Sequence, residues 1–100
     1  MTNAKEELKE SFRYRELNLE NLFDGAMIRY FPDDIDDDYT KTFQPNELDR
    51  FLNYLADINY FSGYGEQKLF GFVLLNDDTW FDRQEYDGRE WWVLRKRPVL

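Results

Sequence analysis

The chain has no cysteine and no histidine. Without cysteine there are no disulfides, thiolate nucleophiles or thiolate metal sites, and without histidine the commonest general base and transition-metal ligand is gone. Glycine and proline are sparse, five and three in 100 residues, so special backbone conformations are confined to a few places. The longest nearly apolar run, Leu69 to Leu75, falls far short of the ~20 residues that span a bilayer. The first residues also lack the apolar stretch of a signal peptide. The expectation is a cytoplasmic protein with no metal, no cofactor and no membrane association.

What is present is aromatic and acidic. Phe, Tyr and Trp make up 19% of the residues, enough bulky material for one core and a single domain over residues 1–100. The net charge is −8, and residues Asn18 to Glu90 hold seventeen Asp or Glu against six Lys or Arg. A phosphate backbone needs a basic face, so direct binding to nucleic acid is not expected. Anionic membranes are disfavoured on the same ground. The sign suits a basic partner, although acidity that only keeps a small protein dispersed is the plainer explanation.

Hydrophobic spacing predicts an α+β fold. Asn3 can cap a first helix with Glu6 three residues on, and Leu8 and Phe12 then share a face opposite charges of alternating sign. This charge-balanced segment reads as exposed and fraying. Leu19, Leu22, Phe23, Ala26, Met27 and Tyr30 continue at helical spacing, so residues 1–31 are expected to be helical segments, with a strand at Met27 to Phe31 left open. Residues 32–44 read as an acidic loop. Residues 45–62 carry the clearest helix, with Pro45 in its first turn, the stripe Leu48, Phe51, Leu52, Leu55 and Ile58, and a stop at Gly63. Residues 68–97 divide into three short strands, which predicts an antiparallel meander packed on that helix. Leu52, Leu55, Phe72 and Trp92 are expected to be deeply buried.

The turn at Tyr86-Asp87-Gly88 sets the register of the last hairpin. A two-residue loop would place Glu85 opposite Glu90, whereas a three-residue loop pairs Glu85 with Arg89. Cross-strand charge favours the three-residue loop. That register puts Trp80, Leu94 and Trp92 on one face and Phe81, Val93 and Trp91 on the other.

Asn76-Asp77-Asp78-Thr79-Trp80 followed by Glu85-Tyr86-Asp87-Gly88-Arg89-Glu90-Trp91-Trp92 resembles the C-terminal hairpin of short, mostly uncharacterised phage and prophage proteins. The likeness covers about the last quarter of the chain, with Asp78 in place of the usual turn glycine. It implies a phage or mobile-element origin and a folding motif, and it supplies no catalytic residues.

Each candidate site has a plainer counterpart. An EF-hand count from Asp36 reaches Asp38 and Glu47, but Lys41 stands where the sharp turn needs glycine, so no metal site is expected. Asp82, Glu85 and Glu90 are the carboxylates a hydrolase would use, yet strand charges paired with Arg83 and Arg89 explain them more simply. Trp92 reads as core and Trp91 as an interface residue. Arg95-Lys96-Arg97 reads as cationic protection of an edge strand, or as a dock for the acidic loop of another copy.

The leading expectation is a non-enzymatic protein that binds and inhibits or modulates a host protein. Asp33, Asp34, Asp36, Asp37 and Asp38, with Asp49, Asp57, Glu66 and Trp91, would contact a basic surface on a nucleic-acid-binding protein or nuclease, occupying it as DNA does. Phage inhibitors of restriction or CRISPR nucleases fit this description by analogy. The alternative is a structural or assembly protein that forms a homodimer or larger homo-oligomer through an aromatic sheet face.

Overall fold

The computed structural model describes residues 1–31, 39–61 and 66–98. The short strand β1 (Thr2–Asn3) leads directly into helix α1 (Ala4–Tyr14). Asn3 starts that helix as its sequence predicts, because its Oδ1 accepts the Glu6 N–H at 3.1 Å and satisfies a donor with no intrahelical partner. The Asn3 side-chain amide also donates to the Ala56 carbonyl and to Asn59 Oδ1. One cap therefore ties both ends of the helical layer together. Ala4, Leu8 and Phe12 are buried. The segment expected to fray is core, since its charges occupy the outer side except for Glu7, which turns inward to Arg83 and Tyr60.

Residues 18–31 depart from the helical expectation. Asn18 caps a single turn, α2 (Leu19–Leu22), and Phe23–Tyr30 then form strand β2. Gly25 takes φ +118° at a bulge where the pairing shifts between Phe23 and Ala26. Hydrogen bonding along both flanks of β2 outweighs the helical spacing, which gains little over so short a stretch. One flank is β3 (Tyr39–Phe43), so the acidic loop expected over 32–44 gives way to strand at residue 39. The Asp33 to Asp38 cluster lies outside the described residues.

Helix α3 spans Leu48–Ala56, shorter than the expected 45–62. Glu47 holds the turn before it, accepting the Gln44 N–H at 2.8 Å and pairing with Arg50, so Pro45 precedes the helix. At the other end Ile58 donates to the Leu55 carbonyl, and β4 (Asn59–Tyr60) pairs with β1. Gly63 is outside the described residues.

Strands β5 (Leu69–Leu75), β6 (Thr79–Tyr86) and β7 (Arg89–Lys96) form the predicted meander within a larger sheet. Its five strands run in the order β3-β2-β5-β6-β7, all neighbours antiparallel. Helices α1 and α3 cover one face. Phe12 meets Phe81 with ring centres 4.9 Å apart, and Phe51 meets Phe23 and Phe43 at 5.2 Å. Leu55 and Trp92 are buried as expected. Leu52 and Phe72 are only half-buried. Leu52 sits at the margin of the α3 stripe, and strand alternation turns Phe72 away from the helices. Among the described residues no helix is long and apolar enough to cross a membrane.

The last hairpin adopts the register that cross-strand charge disfavours. Tyr86 pairs with Arg89 and Glu85 with Glu90, around a two-residue turn with Asp87 at φ 53° and Gly88 at φ 82°. Two left-handed residues give a turn whose twist matches the strands. The two glutamates do not confront each other as free charges. Glu85 turns to the Gly88 N–H, and Glu90 is held by Arg83. A one-residue slip would expel Trp92 from the core, a far larger loss than one unfavourable charge pair. Phe81, Arg83, Trp92 and Leu94 therefore share the helix-facing side, and Trp80, Trp91 and Val93 the opposite one.

Two substitutions test this packing. Leu55→Ala should cost about 2–5 kcal/mol in urea unfolding, as expected for a fully buried leucine. At Gly71, φ is +135° and an added Cβ would run into the Met27 carbonyl oxygen. Gly71→Ala should destabilise by about 1–3 kcal/mol, and an unchanged unfolding midpoint would contradict the close approach of β2 and β5.

Candidate functional site

The inner face of the sheet carries a buried polar cluster between α1, β4, β6 and β7. Arg83 on β6 and Glu90 on β7 come together because the hairpin register turns both inward. Arg83 Nη2 donates to Glu90 Oε1 at 2.9 Å and to the Tyr60 hydroxyl at 2.5 Å, while Nη1 reaches Glu7 Oε1 at 3.0 Å. Glu90 also accepts the backbone N–H groups of Lys68 and Leu69 at 2.8 and 3.0 Å. Tyr60 donates to Glu7 at 2.5 Å. The Arg83 guanidinium lies 4.9 Å from the centre of the Trp92 ring. The Trp92 indole N–H is buried and meets no acceptor among the described residues.

Burial raises the Tyr60 pKa above its ordinary 10.0, with the Glu7 carboxylate acting in the same sense against the pull of Arg83. For Arg83, burial favours the neutral form, but Glu7, Tyr60 and Glu90 outweigh it and the pKa is raised. Apart from the Trp92 N–H, the polar groups of the cluster bond one another and the backbone at the start of β5. Its work is to fasten α1 and the start of β5 to the last hairpin.

The three hairpin carboxylates do not converge on a common site, although Glu85 and Glu90 are opposite each other in the register. Glu90 is inside the cluster, Glu85 is at the exposed tip, and Asp82 points to the opposite face, where it pairs with Arg95 at 2.8 Å. Among the described residues no group of three potential ligands could hold a metal ion. Glu47, the twelfth position of the EF-hand count, is occupied with Gln44 and Arg50.

Of the residues expected to contact a partner, Asp49 stands in the first turn of α3, Asp57 caps its end and Glu66 precedes β5; all three are exposed. None forms an ion pair with a described residue. Trp91 is 42% exposed on the outer face of β7. Asp49 and Asp57 belong to the helix layer and Trp91 to the outer sheet face, while Glu66 is two residues before Lys68, whose N–H meets Glu90 beside Trp91.

The outer sheet face is the feature that sequence spacing obscured. Successive rows across β2, β5, β6 and β7 read Leu74, Trp80 and Arg95, then Met27, Phe72, Asp82 and Val93, then Arg29, Phe70, Gln84 and Trp91. No lysine or glutamate occupies an outward strand position among the described residues, and the acids there are Asp82 and, where β2 begins, Asp24. This face is aromatic and arginine-rich on a chain of net charge −8. The signal available in the sequence was β5 itself, Leu-Phe-Gly-Phe-Val-Leu-Leu, which is apolar at both alternating sets of positions.

Breaking the buried cluster should be costly. Arg83→Ala strands two carboxylates and is expected to lose about 3–5 kcal/mol of stability, while an Arg83→Met, Glu90→Leu double variant should lose less than the sum of its parts. Stability should also fall as pH rises past 10, because an unfolded tyrosine ionises there while folded Tyr60 resists. Tyr60→Phe should flatten that alkaline slope in urea titrations at stepped pH; an equally steep slope would remove Tyr60 as its source.

Comparison with known proteins finds no matching family model, no matching curated sequence and no matching solved structure.

Proposed function

We propose that this chain is a non-catalytic binding protein that attaches to a basic surface of a host protein and inhibits or modulates it. A nucleic-acid-binding protein or nuclease is the partner its charge suits. The observation that carries this reading is where the acidic excess lies. Arg83 is buried in its cluster, while Arg13, Arg50 and Arg95 are paired with Glu10, Glu47 and Asp82. Asp49, Asp57 and Glu66 remain exposed and without a described ion pair, as do Asp77, Asp78 and Asp87 in the strand turns. The surplus negative charge is therefore presented to solvent instead of being neutralised within the fold.

Asp57 adds to this. It sits at the C-terminal end of α3, where the helix dipole disfavours an anion by about 0.3–1 kcal/mol, so its charge does not serve the helix. A partner rich in Lys and Arg would meet carboxylates in place of phosphates. A phage anti-defence factor acting in the host cytoplasm, aimed at a restriction or CRISPR nuclease, is the specific form of this proposal.

The test is capture from bacterial host lysate at low and high salt, followed by competition of the captured partner with duplex DNA. Binding should weaken at least tenfold at high salt, and duplex DNA should displace the partner. Replacing Asp33, Asp34, Asp36, Asp37 and Asp38 with Asn, or Asp49 and Asp57 with Asn, should slow association while leaving the fold intact. Association that proceeds at the parent rate at low salt would make the acidity a dispersing device and refute the proposal.

A further inference from the structure

We infer that the outer face of the sheet is the interface of a homodimer in which two copies pack sheet on sheet. This does not rest on the host-partner reading, since the dimer needs no host component. A half-solvated antiparallel strand alternates apolar and polar residues, whereas one covered on both sides reads as a continuous apolar run. β5 is of the second kind. Leu69, Val73 and Leu75 face the helices, while Phe70, Phe72 and Leu74 face outward, where no described helix packs and Phe31 meets the Phe70 ring edge-on at 5.5 Å.

The composition of the face fits a protein surface. Trp, Phe, Met and Arg are enriched at the centres of protein interfaces, and Lys and Glu are depleted. Two shallow hollows, of about 290 and 260 Å³, both include Phe72 and Leu74 in their walls and offer recesses for opposing side chains. Single-stranded nucleic acid is the less suited occupant, because Asp82 lies in the middle of the face and the chain is net acidic.

Size and charge point to a second copy. Five strands about 4.8 Å apart, with about 3.3 Å per residue along each, give a face of roughly 600 Å². Two such faces, with side-chain relief adding to the flat area, approach the ~1,200–2,000 Å² that specific interfaces bury. Each end of the face also sets an arginine beside an acidic turn. Arg97 lies next to Asp77-Asp78, and Arg89 next to Asp87. A two-fold partner therefore meets opposite charge at the rim whichever end it faces, and the middle, where Asp82 is already paired with Arg95, closes at the usual sheet separation of about 10 Å.

Light scattering of the eluting full-length chain at about 100 μM should give twice the 12.3 kDa of one protomer, with dilution restoring the monomer. Trp91→Glu changes an exposed position and should weaken the dimer at least tenfold with an unchanged circular dichroism melt at low concentration. Arg97→Glu, at the rim, should weaken it less and make it more sensitive to salt. If Phe72→Glu abolishes the dimer together with the fold, Trp91→Glu still decides. A wild-type chain that stays monomeric at this concentration overturns the proposal, as does a dimer indifferent to Trp91→Glu. A monomer whose tryptophan fluorescence is quenched by oligo-dT would overturn it in favour of nucleic acid.

Discussion

The contact between Arg83 and Glu90 is the interaction on which the arrangement depends. Both groups are almost wholly inaccessible, and a buried charge is tolerated only with good geometry and every hydrogen bond made. Glu90 meets that demand by taking Arg83 on one side and two backbone N–H groups from the start of β5 on the other. Arg83 meets it with Glu7 and Tyr60 and by lying against Trp92. A one-residue slip of β7 removes the contacts made by Glu90 and Trp92, leaving Arg83 with only Glu7 and Tyr60. The cluster thus selects the strand register, and the register sorts every side chain of β6 and β7 between a covered face and an open one.

That sorting gives the molecule two unlike surfaces. The covered side holds the aromatic core under α1 and α3, rimmed by exposed acids on the helices and turns. The open side is largely aromatic and aliphatic, with Asp82 in its middle paired to Arg95. A protein whose net charge is −8 would be expected to look uniformly acidic, yet its most contact-prone face is not. The proposed basic partner would meet the acids and the proposed second copy the sheet.

Much of the fold was legible because it is locally encoded. The Asn3 cap, the Leu8–Phe12 face, the Phe51–Leu55 stripe and the three C-terminal strands all follow from spacing and turn chemistry within a few residues. The failures were non-local. Residues 23–30 carry a pattern compatible with a helix, and only pairing with β3 and β5 makes them a strand. Cross-strand charge favours the other hairpin register by only tenths of a kcal/mol, while a buried ion pair and a tryptophan favour the one adopted. Glu90 read as a solvated strand charge because nothing near it in sequence reveals the Lys68 and Leu69 amides that it accepts. The expected site is likewise legible only as composition: Asp49, Asp57 and Glu66 are surface acids, but that Asp49 and Asp57 lie on the helix layer and Trp91 on the other side of the sheet is a property of topology.

The most direct test of the account is the pairing of β6 with β7 in solution. A nuclear Overhauser contact between the Cα protons of Arg83 and Trp92 is predicted, since facing residues without mutual hydrogen bonds bring their Cα atoms to about 4.5 Å. A contact from Arg83 to Trp91 instead would mean the slipped register, with Glu90 turned outward, the buried cluster dissolved and the open face built from a different set of side chains.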